Sequence, residues 1–461
     1  MYIDRLNHVA RRLLSPFAID PITPLALAVF RATFGLGLLY MLLVYEPIRA
    51  KAFDLRQPHG PFADAEWVYA LATNHTAASA FQFLACAAAI LFILGVFARA
   101  AYVVVVSMMF IHVLMILTRV SAHDWDLPIV TLIAMTIVPW GEAPPVWTLR
   151  HSWRALGARR LASQACGFAV WFPGLMVGLA FAAAAYAKVG RTGIQWITNG
   201  TVRYHFVEDG RNAPITLGLW IAAHTELSIF LSLIAVLAEA VFVLIVFARG
   251  WRVRLAFGLM GASMMAGFTL LQNVAWWPWR ILFLAFLPWT LLKSSDETVV
   301  AAPDRAGGGA TVAQPRDLTW VHGALVFSLI GVQVWASWKK VELEPVISNF
   351  PMYAYTWSSP EEFNRRQART RFEADGVDIS DRIEYANGES LLRDMATFQS
   401  VAAHQEPDPN DVRRFTDAYR RTYGTLPSTV DVFVVQRPFD FQQGRYLPQT
   451  REHLGTVQLP P

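Results

Sequence analysis

Hydrophobic side chains in this chain come in long runs separated by short polar stretches, unlike the alternating or striped patterns of a water-soluble core. A helix needs roughly 20 apolar residues to cross about 30 Å of hydrocarbon at 1.5 Å per residue. By that ruler nine runs qualify, at about 25–45, 77–98, 101–118, 127–140, 167–188, 226–248, 253–273, 275–293 and 318–338. The fourth is short and bracketed by Pro128 and Pro139, which predicts a tilted or partly inserted helix. Residues 214–224 read as an interfacial or re-entrant piece. The predicted fold is an all-α polytopic membrane helical bundle of about nine spans, with a small C-terminal α+β soluble domain.

The bundle covers 1–293 and resumes with a last transmembrane helix at 318–338. Between them, 294–317 are rich in Gly, Pro and small polar residues without apolar periodicity, the pattern of a flexible cytoplasmic linker. From 339 to 461 the composition turns soluble. Charged helical stretches are expected near 389–403 and 410–422, and alternation predicts a strand at Thr429–Gln436.

Composition agrees with the pattern: 54% of the 461 residues are hydrophobic and 16% charged, against about a quarter charged in soluble domains. The net charge of +4 comes from Lys and Arg at the ends of apolar runs, with no aromatic-interleaved basic stripe, so nucleic acid is not an expected partner. Arg5, Arg11, Arg12, Arg99, Arg150, Arg154, Arg159, Arg160, Arg249, Arg252 and Arg254 all fall on one side of the nine-span topology. In the opposite loops Arg49, Lys51 and Arg56 are mixed with Glu46, Asp54, Asp64 and Glu66. The positive-inside rule then places the N-terminus in the cytoplasm and the C-terminal domain outside. Tryptophans near span ends, Trp276, Trp277, Trp279, Trp335 and Trp338, suit an interfacial aromatic belt. Cys86 and Cys166 lack the spacing of a metal knuckle or redox pair and read as packing residues. His112, His224 and Glu226 form no i, i+4 ligand pair, so no metal is expected.

Two sets of polar residues stand where hydrocarbon should exclude them. Arg31 lies about 9 Å from the inner end of the first span and Glu239 about 14 Å from the inner end of the sixth, taking 1.5 Å per residue. Matching depths predict a buried structural ion pair between them. Lys188 ends the fifth run in AAAAYAKVG, and His123 and Asp124 in SAHDWDLP open the fourth on the same outer side. A desolvated amine is a base near neutral pH, an adjacent imidazole can shuttle a proton, and an acid can orient the ring. Snorkelling of Lys188 and helix capping by Asp124 are the plainer readings.

Several ordered motifs resemble the HTTM membrane domain shared with vitamin K-dependent gamma-glutamyl carboxylase, over roughly residues 20–295. DPITPLALAVFRATFG at 20–35 resembles the family's opening stretch, with Pro24, Phe30, Arg31 and Gly35 in register. HDWDLPIVTL at 123–132 resembles a helix beginning with an essential His, and YAKVGRTGIQWITNGTVRYHF at 186–206 a segment where Lys is followed by Trp and Gly. Glu239 stands where the family carries an acid in the next long helix. The resemblance implies a bacterial-type, inner-membrane member: a quinol-dependent carboxylase (a lyase) with Lys188 as the base and His123 as its helper. Tyr186 and Trp196 would be cofactor-binding residues for a reduced, vitamin K-like quinone, and an extracytoplasmic protein or peptide would be the substrate. The chain departs from the family at Ser121 and Ala122, where an Asn pair is expected, and at Met264 and Met265, where a His is expected. Those departures leave open a non-catalytic module that holds lipid or quinone and binds an extracytoplasmic partner. A transporter would show inverted repeats, and the halves of this sequence carry none that is convincing.

Overall fold

The computed structural model describes residues 2–44, 65–118, 123–148, 162–274, 276–292, 317–348, 350, 353–378 and parts of 409–459. The 294–316 linker, 389–403, Ser121, Ala122 and the loop charges at 46–64 and 150–160 lie outside the described residues.

The helices run α1 (Tyr2–Leu14), α2 (Pro24–Val44), α3 (Glu66–Thr73), α4 (His75–Leu94), α5 (Ala98–Leu117), α6 (His123–Ala134), α7 (Gln164–Thr192), α8 (Gln195–Thr198), α9 (Val202–Glu208), α10 (Leu217–Ala223), α11 (Thr225–Phe242), α12 (Trp251–Gln272), α13 (Trp277–Arg280), α14 (Trp320–Lys339) and α15 (Pro360–Arg366). Among the described residues seven helices are long and apolar enough to cross a membrane: α2, α4, α5, α7, α11 with its 3-10 extension, α12 and α14. On α4, α11, α12 and α14 the faces turned away from the bundle are themselves apolar, with Phe83, Phe230, Leu259 and Val334 all exposed. Exposed apolar surface on that scale is compatible with an integral membrane protein.

Two of the nine expected runs are not single straight helices. The fourth runs from His123 to Ile137, then bends by 61° into Trp140–Thr148. Pro139, which supplies no backbone N–H, stands at the break. The eighth, 275–293, is the short α13 followed by 3-10 turns at Ile281–Phe286 and Trp289–Leu291. Pro288 prevents a continuous ladder there, and Leu287 just before it is extended. This irregular strip is nonetheless buried, because Gly258 and Gly261 of α12 let Phe286 and Phe283 lie against the helix backbone.

α7 lies at the centre, its apolar stretch almost wholly enclosed by the other elements. At one end of the bundle α1 packs along the start of α14, where Arg11 Nη1 meets Asp317 Oδ2 at 2.8 Å and the Trp320 N–H donates to Asn7 Oδ1 at 3.0 Å. α14 then leads to the other end, where the chain forms a four-stranded antiparallel sheet. Its strands are β1 (Arg369–Ala374), β2 (Val377–Asp378), β3 (Thr429–Gln436) and β6 (Thr450–Gln458), ordered β2-β1-β3-β6. The hairpin β4 (Phe439–Asp440) and β5 (Arg445–Tyr446) lies between β3 and β6 in the chain. The sheet region is seated on α9 and α10 through a cluster of Tyr204, Val207, Ala222, Trp357, Phe363 and Phe439.

Arg31 does not pair with Glu239. Its Nη1 donates to the Ala143 carbonyl at 2.9 Å and its Nη2 to that of Pro144 at 2.8 Å. Equal depth on two helices says nothing about which faces meet, and the bend after Pro139 brings two carbonyls within reach first. Gly95 shapes the same pocket: it ends α4 in the left-handed region at φ +83, and the Arg31 Cζ is 2.7 Å from where a Cβ at that position would stand. Gly95→Val should therefore destabilise the fold by about 2–4 kcal/mol, combining left-handed strain with loss of charged hydrogen bonds. Denaturation of the detergent-solubilised variant against wild type measures it.

Candidate functional site

Lys188 lies one turn before the end of α7, where its ammonium meets the carboxylate of Glu239 from α11. Nζ donates to Oε1 at 2.7 Å and to Oε2 at 2.8 Å, and both side chains are 3% exposed. Removing each charge from water costs several kcal/mol, which a buried pair offsets only with short, well-aligned bonds to both oxygens.

The chain then turns back over the pair. Gly193 adopts φ +63, a conformation that costs little only for glycine, and α8 follows immediately. The Trp196 ring stands 5.3 Å from Lys188 Nζ, adding a cation–π contact and an apolar roof. The roof is held by residues 353–357. The Trp196 Nε1–H donates to the Tyr353 carbonyl at 2.7 Å, the Asn199 amide to the Trp357 carbonyl at 3.0 Å, and the hydroxyls of Thr201 and Thr356 pair.

His205 of α9 completes this cluster. It is buried, with ring centroids 4.5 Å from Tyr353, 5.1 Å from Tyr355 and 5.3 Å from Trp357. Its Nδ1 is 3.6 Å from Glu208 Oε2, too long for a hydrogen bond, and neither ring nitrogen has a hydrogen-bond partner among the described residues. Burial pushes its pKa down and the Lys188 charge adds to that, against the pull of Glu208. The ring is therefore held neutral. Beside it burial raises the Tyr355 hydroxyl, whose O–H donates to Glu208 Oε2 at 3.1 Å.

His123 belongs to a second cluster. Its Nδ1 is 2.7 Å from Glu344 Oε1 and 3.7 Å from Asp126 Oδ2. The ring is half exposed, whereas both acids are buried. Glu344, from the segment after α14, and Asp126, one turn further along α6, are thus the acids that stand beside the ring. Asp126 lines a small cavity of about 20 Å³ together with Met176, Gln333, Ser348 and Phe350. Met176 is twelve residues before Lys188 on α7, about 18 Å along the axis. The amine and His123 therefore occupy separate clusters, each with its own acid.

Of the other expected site residues, Trp196 stands beside Lys188. Tyr186 is exposed, since two residues along a helix turn a side chain by about 200°. His205, Asp126, Glu344 and Tyr353 are additions that the sequence reading missed. Acids three residues after His123 and after His205 were the visible signal, because i and i+3 share a helix face.

Two measurements follow from this geometry. Lys188→Met alone strands a buried carboxylate and should cost about 3–5 kcal/mol, whereas Lys188→Met with Glu239→Met should recover most of the loss; unfolding of both variants in detergent compares them. The neutral His205 sets a pH dependence. Its stabilising burial is complete above the unfolded pKa of about 6.5 and is lost as pH falls below that value toward the lower folded pKa, because the unfolded chain binds the proton first. Melting temperature should drop as pH is lowered from 7 to 5, and His205→Phe should flatten that part of the drop.

In comparisons with protein-family models, curated proteins and solved structures, the chain matches none.

Proposed function

We propose that the chain is an integral protein of a bacterial inner membrane, N-terminus in the cytoplasm and C-terminal domain outside, whose Lys188–Glu239 pair handles a proton in quinol-dependent, carboxylase-like chemistry. The observation that carries this reading is the pair itself: a base and an acid 2.7 Å apart, buried and roofed by Trp196. Exposed apolar helix faces, the one-sided basic loops and the motifs around Lys188 support it.

His205 would face a quinone ring, since two buried ring nitrogens without partners among the described residues suit hydroxyl or carbonyl oxygens. A bound reduced quinone would supply an acidic hydroxyl and reducing equivalents. Glu239 takes the ammonium proton, and the freed Lys188 amine takes the hydroxyl proton in turn. Trp196 and residues 353–357 exclude water from the exchange. The helper role that the resemblance gives to His123 passes here to His205, which stands close enough for the Lys188 charge to act on it. The C-terminal domain would present the extracytoplasmic protein or peptide substrate.

A second reading has its own observation. Lys188 and Glu239 satisfy one another, and Met265 is buried where the family carries a His. That suits a non-catalytic module holding lipid or quinone.

Purified protein given reduced quinone, oxygen and carbon dioxide should form quinone epoxide. Lys188→Ala should lower the rate at least a thousandfold, and the folded Lys188→Met, Glu239→Met double variant should be equally inactive. Equal product from wild type and both variants rejects the catalytic reading. An inactive wild type that still binds quinone establishes the second.

A further inference from the structure

A groove of about 410 Å³ opens along α12, between that helix and the strip 280–283. Ala262, Met265, Ala266, Leu270 and Phe283 make it apolar along its length, and Arg280 and Thr269 stand at one end. The guanidinium is fixed there twice. Its Nη2 donates to Thr269 Oγ1 at 2.7 Å, and its Cζ lies 3.7 Å from the centre of the Trp277 ring. A cation clamped flat on an indole at the mouth of an apolar trough is an amphiphile site in outline, with the charge at one end and the chain-sized channel running from it.

Its depth in the bundle matches. The Arg280 end of α12 is the end nearest the C-terminal domain, since the Ile215 N–H donates to the Leu270 carbonyl and α10, on which that domain sits, packs beside Leu271. Trp276 and Trp277 stand at that end as well, the pair of indoles expected of an interfacial belt. Small residues at 262 and 266, one turn apart, keep the channel open on a helix whose outer face is largely exposed.

We infer that this groove binds an anionic phospholipid, with the phosphate on Arg280 and Thr269 and one acyl chain along Ala266, Ala262 and Phe283. Guanidinium groups suit phosphate because their parallel N–H bonds match two oxygens. The lipid would lie between α12 and the irregular 280–286 strip and clamp them together. The inference rests on the membrane setting but not on the quinone chemistry.

The test is a lipid titration of the purified full chain in neutral detergent, read by melting temperature and by native mass spectrometry. Short-chain phosphatidylglycerol should raise the melting temperature and remain bound, whereas phosphatidylcholine and inorganic phosphate should do neither. Arg280→Gln should weaken phosphatidylglycerol binding about tenfold or more, the loss expected for a charge-assisted bond. Ala266→Phe, which leaves Arg280 in place and fills the channel, should weaken it as well. Equal effects of phosphatidylglycerol and phosphatidylcholine on wild type overturn the inference, as does phosphate acting alone or unchanged binding in both variants. Carbonate washing of membranes, which strips peripheral proteins, tests the membrane setting separately.

Discussion

The bond between Lys188 and Glu239 is the constraint around which one half of the molecule is arranged. Two charges buried in an apolar bundle must find each other, because either alone would cost several kcal/mol. Satisfying them fixes α7 against α11 at a single rotation and depth, and a slip of one residue on either helix would turn a charge by about 100° into packed aliphatic side chains. Once the pair is set, the turn at Gly193 lays Trp196 over it. Residues 353–357 can then bond to Trp196 and Asn199, and the sheet region finds its seat on Tyr204, Val207 and Ala222.

Arg31 shows the same rule answered in another way. Among the described residues it meets no carboxylate; two carbonyls beside the bend after Pro139 accept from its two terminal nitrogens. A broken helix is thus useful at this point, since it frees acceptors that an intact ladder would have used. The bend and Gly95 are local departures from regular helix, and around Arg31 they leave both terminal nitrogens of the guanidinium bonded, while its Nε has no partner among the described residues.

Apolar run length located the seven helices long and apolar enough to cross a membrane, and alternation located Thr429–Gln436, because both depend on neighbours within the sequence. Partner choice was not legible in that way. Depth arithmetic placed Arg31 and Glu239 together because it counts rise along an axis and is blind to azimuth. The expected link between His123 and Lys188 fails along the axis instead, since α7 runs about 18 Å from Met176, which shares a cavity with Asp126, to Lys188. The run at 275–293 read as one straight helix because hydropathy does not register that Pro288 interrupts the hydrogen-bond ladder. His205 escaped notice for a different reason: its burial is completed by Tyr353, Tyr355 and Trp357, about 150 residues away in the chain.

Those three residues belong to a strap that alters how the two clusters should be understood. It leaves α14, gives Glu344 to His123 at 2.7 Å, places Phe350 beside Asp126 and against Trp279, and reaches Tyr353 over Trp196. Described residues between 344 and 357 thus stand at both the His123 cluster and the roof of the Lys188 pair. The C-terminal domain follows directly from this strap and is packed on α9 and α10. The roof over the buried pair is thus continuous in the chain with the domain that packs on α9 and α10, and the Tyr353 carbonyl is its direct bond to Trp196.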